Sequence, residues 1–369
     1  MRGLRARTRV AGLGMAVVVG VLAMMAGRTM QAQLIDLLPH LGTATDEEAT
    51  PQESQSAREI RGYLVAGQFD ELDLMAGRLR SSKARVAGGG WKLRVFYAAL
   101  DQRPATDQEM IDHIAHIESW MKQRPGSITA PVALAGSLET WAWMARGSGT
   151  ADKVTDDGWK LFEERIKRAR EVLDAAEKLQ PMCPQWYSAM MTVGLAQGWD
   201  GKQMQALFEK GTAFEPEYFY LYKEYANYLQ PKWEGHPGDS TAFARVSADK
   251  IGGDGGDLIY FWIATVLIKR GNGVMPTGEM DWQRIQRGEH VLETRYRATR
   301  GTTNQFAFMA YKYRDGVVAA PLFAEIGDRW TKAVWKDKET YDKARVWSQR
   351  NASVQQRQEP NDKIMRPFE

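Results

Sequence analysis

Residues 156–181 read DDGWKLFEERIKRAREVLDAAEKLQP. Within them Trp159, Phe162, Ile166, Ala169, Leu173 and Ala176 step by three, four, three, four and three residues. At 3.6 residues per turn those steps keep all six side chains on one stripe of a helix. The opposite face carries Glu163, Glu164, Lys167, Arg168, Glu171 and Lys178. Glu163 with Lys167 and Glu164 with Arg168 are i,i+4 pairs, each worth only about 0.2–0.5 kcal/mol. Burial of the apolar stripe must therefore hold this helix, and burial needs a neighbouring helix. Thr155, Asp156 and Asp157 are cap candidates before it, and Pro181 ends it.

The same pattern recurs downstream. Ala169, Leu173, Ala176 and Pro181 have the small-x3-large-x2-small-x4-Pro spacing of the second helix of a tetratricopeptide repeat. Met204, Phe208, Gly211 and Pro216 reproduce that spacing 35 residues later, against about 34 for the repeat. The run Trp186 to Gln197 supplies the first helix of that second unit. Small residues at these positions let paired helices approach closely. Further helices are expected over 55–66 and 69–80, 90–101 and 107–122, 130–145 leading into 157–179, 218–229 and 239–250, and 257–270 and 281–298. The last third adds 303–315, 320–326 and 338–349. Pro104, Pro125, Pro131, Pro231, Pro237, Pro276 and Pro321 read as punctuation between these segments or in their first turns. Alternating Val/Ile/Thr strands are nearly absent. The fold class is all-α: a tetratricopeptide-like solenoid of helix pairs over residues 58–350, about eight pairs at roughly 34–40 residues each.

Outside that span the chain changes character. Arg2, Arg5, Arg7 and Arg9 precede an uncharged run from Val10 to Gly27. As a helix the run spans roughly 27 Å at about 1.5 Å per residue, near the ~30 Å of a hydrocarbon core. A basic segment followed by an apolar one is the secretory pattern. Residues 1–32 are read as a signal peptide or an N-terminal membrane anchor, with Ala23 and Ala32 as candidate cleavage points. In either case residues 33 onward are exported, to the periplasm or the outer face of the cytoplasmic membrane. Membrane contact is expected only through residues 10–27, if they are kept. Residues 33–57, including the acidic HLGTATDEEATPQESQSA at 40–57, read as a polar linker. Residues 351–369 read as a polar tail.

Composition narrows the function. The chain has 369 residues and a net charge of +3. Five arginines lie in residues 1–32 with no acid; without them 44 basic residues face 46 acidic ones, a net of −2. A nucleic-acid footprint needs clustered positive charge, so no nucleic-acid partner is expected. The single cysteine, Cys183, excludes an intrachain disulfide and a zinc site built on several thiolates. It lies between Pro181 and Pro184 with no histidine nearby, and reads as a structural thiol.

Motifs with chemical content are few. In Pro231-Lys-Trp-Glu-Gly-His-Pro-Gly-Asp239, Gly235 and Gly238 permit positive φ, Pro237 fixes a turn, and Asp239 is placed to cap the next helix. As a ligand site the same loop would stack a ligand on Trp233, with His236 and Asp239 as polar groups. GGDGGD at 252–257 lacks the Gly-Lys-Ser/Thr ending of a phosphate loop and follows a helix, so it reads as a helix connection with an Asp cap. Its Asp254 and Asp257 are too few for calcium. His113 and His116 lie three apart with Glu109 one turn before, but further ligands are missing. Trp141, Trp143, Tyr220, Tyr222, Tyr225 and Tyr228 fall at helix-core spacings. No catalytic residues, no metal site and no cofactor are assigned.

The stretch YFYLYKEYANYLQPKWEGHPGD at 218–239 resembles a family of bacterial proteins known as a domain of unknown function, whose members look like tetratricopeptide-type helical proteins. The shared features are an aromatic helix, then Pro231, Trp233, Gly235, Pro237, Gly238 and Asp239, then Ala242-Phe243-Ala244. Residues 145–169 and IGGDGGDLIYFWIA at 251–264 fit as well, so the resemblance spans roughly residues 100–275. It implies a helical-repeat fold and brings no activity. The expectation is an exported, non-enzymatic interaction module that binds an envelope protein on the concave face of its array. The alternative is an envelope enzyme or glycan-binding protein using the Trp233–Asp239 loop, with Glu224 and Asp239 as acid and base.

Overall fold

In this computed structural model the backbone is described for residues 51–101, 104–147, 151–270 and 276–364, and side chains for 55–101, 104–147, 152–268 and 276–352. The expectations for residues 1–32 and for 33–50 lie outside the described residues. The described residues form sixteen α-helices and no strand. The helices are α1 (Pro51–Val65), α2 (Phe69–Ser82), α3 (Lys92–Leu100), α4 (Asp107–Gln123), α5 (Thr129–Arg146) and α6 (Asp156–Ala176). Then come α7 (Pro184–Ala196), α8 (Gly201–Phe214), α9 (Tyr220–Tyr228), α10 (Asp239–Ile251) and α11 (Gly253–Arg270). The chain continues with α12 (Trp282–Tyr296), α13 (Arg300–Lys312), α14 (Gly316–Ile326), α15 (Lys332–Trp335) and α16 (Lys338–Ile364). Most helices pack on elements one or two places away in sequence, as in a stack of helix pairs.

The stripe on α6 is buried throughout, from Trp159 at 4% exposure to Ala169 and Leu173 at zero. It lies along α5, where Trp143 meets Phe162 edge to face at 4.7 Å between centroids. Thr155 caps α6, accepting the Gly158 amide. The next pair follows the expected spacing. Trp186 on α7 donates its indole N–H to the Leu173 carbonyl at 2.8 Å, which pins one unit to the previous one. Gly211 of α8 is small for a physical reason. A Cβ there would stand 3.0 Å from Leu221 Cδ1 and 3.1 Å from Tyr187 Cβ.

Four expectations are corrected. Helix α1 begins at Pro51, inside the stretch read as linker up to residue 57. Proline suits the first helical position, and the polar residues that follow it leave no apolar period to read. Helix α16 continues through Pro360 to Ile364, so residues 351–364 extend a helix rather than forming a loose tail. Ala, Gln, Arg and Glu carry good helix propensity without an apolar stripe. Pro321 lies inside α14, not at its first turn. Only Gly252 separates α10 from α11, so Asp254 and Asp257 sit in the first turns of a helix, not in a connecting loop.

Those two aspartates bind neighbouring helices. Asp257 accepts Arg284 Nε at 2.9 Å and Arg287 Nε at 2.7 Å, while Arg284 also reaches Asp249 at 2.5 Å. Asp254 pairs with Arg295. The network ties α10, α11 and α12 together.

Residues 83–91 join distant parts of the array. Lys83 pairs with Glu215 at 2.8 Å, and Trp91 donates its indole N–H to the Glu217 carbonyl at 3.2 Å. The Gly88 amide reaches the Arg297 carbonyl, just past α12.

Candidate functional site

The Trp233–Asp239 loop is built as a turn and a helix start. Trp233 is buried at 5% exposure, so its ring is packed away from solvent. His236 is exposed, and its backbone N–H donates to Asp239 Oδ2 at 2.7 Å. Asp239 is the first residue of α10, and the cap position belongs to Gly238 at φ 91°. Gly235 is required for space rather than φ: a Cβ there would lie 2.0 Å from the Leu229 carbonyl oxygen. The structure thus brings the His236 backbone to the Asp239 carboxylate and keeps the Trp233 ring buried.

The histidine pair and the cysteine are similarly engaged. His113 Nε2 meets Ser137 Oγ at 3.2 Å, and burial lowers its pKa. Glu109 turns away to accept the Ala105 amide at 2.8 Å. Cys183 Sγ lies 3.4 Å from the Tyr97 hydroxyl in the core. Among the described residues no three His, Cys, Asp or Glu side chains group as metal ligands.

A different site emerges where α3, α5, α7 and α9 converge on a cavity of about 50 Å³. That is room for about four water molecules. Helix α5 reaches it with Gly136, Glu139, Thr140 and Trp143, which the three-to-four spacing places on one face. Helix α7 adds Gln185, Ser188 and Thr192 by the same spacing. Arg94 and Tyr97 come from α3, Asp101 from just beyond it, and Glu224 from α9.

Part of this polar wall is satisfied. Ser188 donates to Glu224 Oε1 at 2.6 Å, Thr140 donates to Asp101 Oδ1, and the Tyr218 hydroxyl donates to Gln185 Oε1 at 2.5 Å. Part of it is not. Glu139 Oε1, Arg94 Nε and Trp143 Nε1 are buried with no hydrogen-bond partner among the described residues. Such atoms cost about 1–3 kcal/mol each when nothing meets them. Burial pushes the Glu139 carboxyl well above the usual range, and the nearby Asp101 and Glu224 push it the same way, while Arg94 opposes them. Glu139 is therefore neutral over a pH range where an exposed carboxyl is ionised.

Of these residues, the sequence reading had singled out Glu224, as an acid or base, and Trp143, as core packing. A signal for the others was present. Glu139 is the one acid in the eighteen residues of α5, and Gln185, Ser188 and Thr192 form a polar stripe on an otherwise apolar α7.

Comparison with known proteins reaches every residue of this cavity wall except Glu224. No curated protein and no solved structure matches the chain. A family model does, from α1 to just past α7, which includes Arg94, Asp101, Glu139 and Ser188 but not Glu224. Its reach differs from the span of 100–275 inferred from sequence resemblance: it begins further upstream and stops before the Trp233–Asp239 loop. Residues 56–198 match the family described as Domain of unknown function (DUF4034).

Proposed function

We propose that the chain is an exported, non-enzymatic helical-repeat protein that binds an envelope protein and acts as a scaffold for it. The observation that carries this reading is the repeat itself. Pairs such as α5 with α6 and α7 with α8 stack in sequence order, and such arrays present successive helix faces to one side as a binding surface. The arginine-flanked run at 10–27 supports export, with the folded part in the periplasm or at the outer face of the cytoplasmic membrane. Crosslinking of the tagged full-length chain in living cells, followed by mass spectrometry, tests it. One dominant envelope protein captured through residues of one face is the expected result. Recovery of the chain with cytoplasmic partners alone refutes it.

A second reading rests on Glu139 and Glu224. Two carboxyl groups in one cavity, one of them held neutral by its surroundings, are the arrangement a general acid and base require. In that reading the chain is an envelope enzyme whose substrate presents a group of only a few heavy atoms to this cavity, and the Trp233–Asp239 loop, with Trp233 buried, takes no part. Turnover of a small-molecule substrate by the purified chain, lost in Glu139→Gln, distinguishes it from the scaffold.

A further inference from the structure

We infer that the cavity between α3, α5, α7 and α9 binds a small organic ammonium that also carries one oxygen acceptor. The proposal concerns this cavity alone and holds whether or not the chain recruits a protein.

The charge count points to a cation. Even with Glu139 neutral, two carboxyl groups, Asp101 and Glu224, stand against one guanidinium, Arg94, on the cavity wall, and an ionised Glu139 adds a third. An acidic cluster alone selects nothing, because water or neutralised carboxyls also satisfy it. The second observation is the set of polar atoms left without partners. Glu139 Oε1 is one, and Trp143, a buried residue at 7% exposure, leaves its indole Nε1–H unmet on the same wall. Arg94 Nε–H is the third. One carboxyl oxygen and two N–H donors require a ligand with both a donor and an acceptor. An ammonium group against Glu139 and an oxygen against Arg94 and Trp143 would satisfy all three.

Size restricts the ligand further. A cavity of about 50 Å³ admits a molecule of only a few heavy atoms. Thr140, Ser188 and Gln185 are already bonded to Asp101, Glu224 and Tyr218, so the wall is held in place before a ligand arrives. Preorganisation of this kind removes ordering costs from binding.

Binding would also move a proton. The groups facing Glu139 are Asp101, Arg94 and Tyr97 from the α3 side and Glu224 from α9, while α7 contributes only the neutral Gln185, Ser188 and Thr192. An arriving ammonium favours the ionised form of Glu139, so the site releases a proton as it fills. Affinity then rises with pH until Glu139 is ionised in the empty protein.

The test uses calorimetry on the purified protein with ethanolamine, which carries an ammonium and a hydroxyl, and with methylammonium and acetate as half-ligands. Ethanolamine is expected to bind, methylammonium at least tenfold more weakly, and acetate not at all. Binding heat should vary with the ionisation enthalpy of the buffer, reporting the released proton. Glu139→Gln is expected to lower affinity at least tenfold and to remove the buffer dependence. Trp143→Phe keeps an aromatic side chain, removes the N–H, and should weaken ethanolamine more than methylammonium. No heat with either ammonium probe overturns the proposal. So does binding that Glu139→Gln and Trp143→Phe leave unchanged, or a crystal soaked in ethanolamine whose cavity holds water alone.

Discussion

The backbone amide of Gly88 donates a 2.8 Å hydrogen bond to the carbonyl of Arg297, linking the connection between α2 and α3 to the end of α12. Gly88 holds φ at 77°, and a Cβ there would lie 2.9 Å from Thr299 Cγ2. Both the backbone conformation and the space exclude a side chain. Gly88→Ala is expected to destabilise the protein by about 1–3 kcal/mol. Urea unfolding followed by circular dichroism checks this, and the helical signal of the folded state should not change.

Asn304 is completely buried and uses both ends of its amide. Nδ2 donates to the carbonyls of Arg300 at 2.8 Å and Arg329 at 3.3 Å, while Oδ1 accepts the Trp335 indole at 2.8 Å and the Thr331 amide at 3.2 Å. Asn304→Leu matches its size and leaves the donors of Trp335 and Thr331 unmet. The expected cost is about 2–4 kcal/mol. Trp335→Phe in the same background should recover part of the loss, and a double-mutant cycle measures how much.

Glu289 is pushed up to about 7 by burial, with Glu293 and Glu325 adding to it. A carboxyl raised in the folded state binds its proton more tightly there than in the unfolded chain. Its share of stability is therefore present at pH below about 4.5, is lost as pH rises to about 7, and is flat beyond. Glu289→Gln should remove this fall, which is on the order of 1–3 kcal/mol. Melting temperatures of both proteins between pH 4.5 and 8 check it, and a parallel decline in the two curves would exclude this assignment.

The Trp233 loop separates into three graded effects. Trp233→Ala empties a buried site and should cost about 3–5 kcal/mol. Asp239→Ala loses the bond to the His236 amide and an acid at a helix start, about 1 kcal/mol. His236→Ala changes an exposed side chain and should stay within about 0.5 kcal/mol. Chemical denaturation of the three single variants provides the ranking. A large loss from His236→Ala would show that its imidazole has a structural role.

Helix content and pairing were legible because their signals are local. Trp159 to Ala176 and Met204 to Gly211 declare their buried faces within single helices, and Pro181, Pro184 and Pro216 mark their ends. The loop from Pro231 to Asp239 was legible as a turn, since Gly238 announces its own positive φ. Gly235 was misread, because its need is a carbonyl six residues earlier and not a backbone angle. Polar helices without a stripe, at residues 51–57 and 351–364, carry no periodic signal and were read as linker and tail.

By itself the sequence determined an all-α chain of paired helices, since an apolar stripe at helical spacing has no other way to leave water than against another helix. It also determined a near-neutral charge balance after residue 32 and a basic, apolar start. Only the tertiary structure decided the rest. Arg94, Glu139 and Glu224 lie on three helices that the repeat spacing brings together, and burial there, not residue type, holds the Glu139 proton. Gly88 and Arg297 are neighbours because the array brings its early helices against its later ones. A side chain's environment depends on contacts far along the chain, and periodicity reports only which face turns inward, not what it meets there.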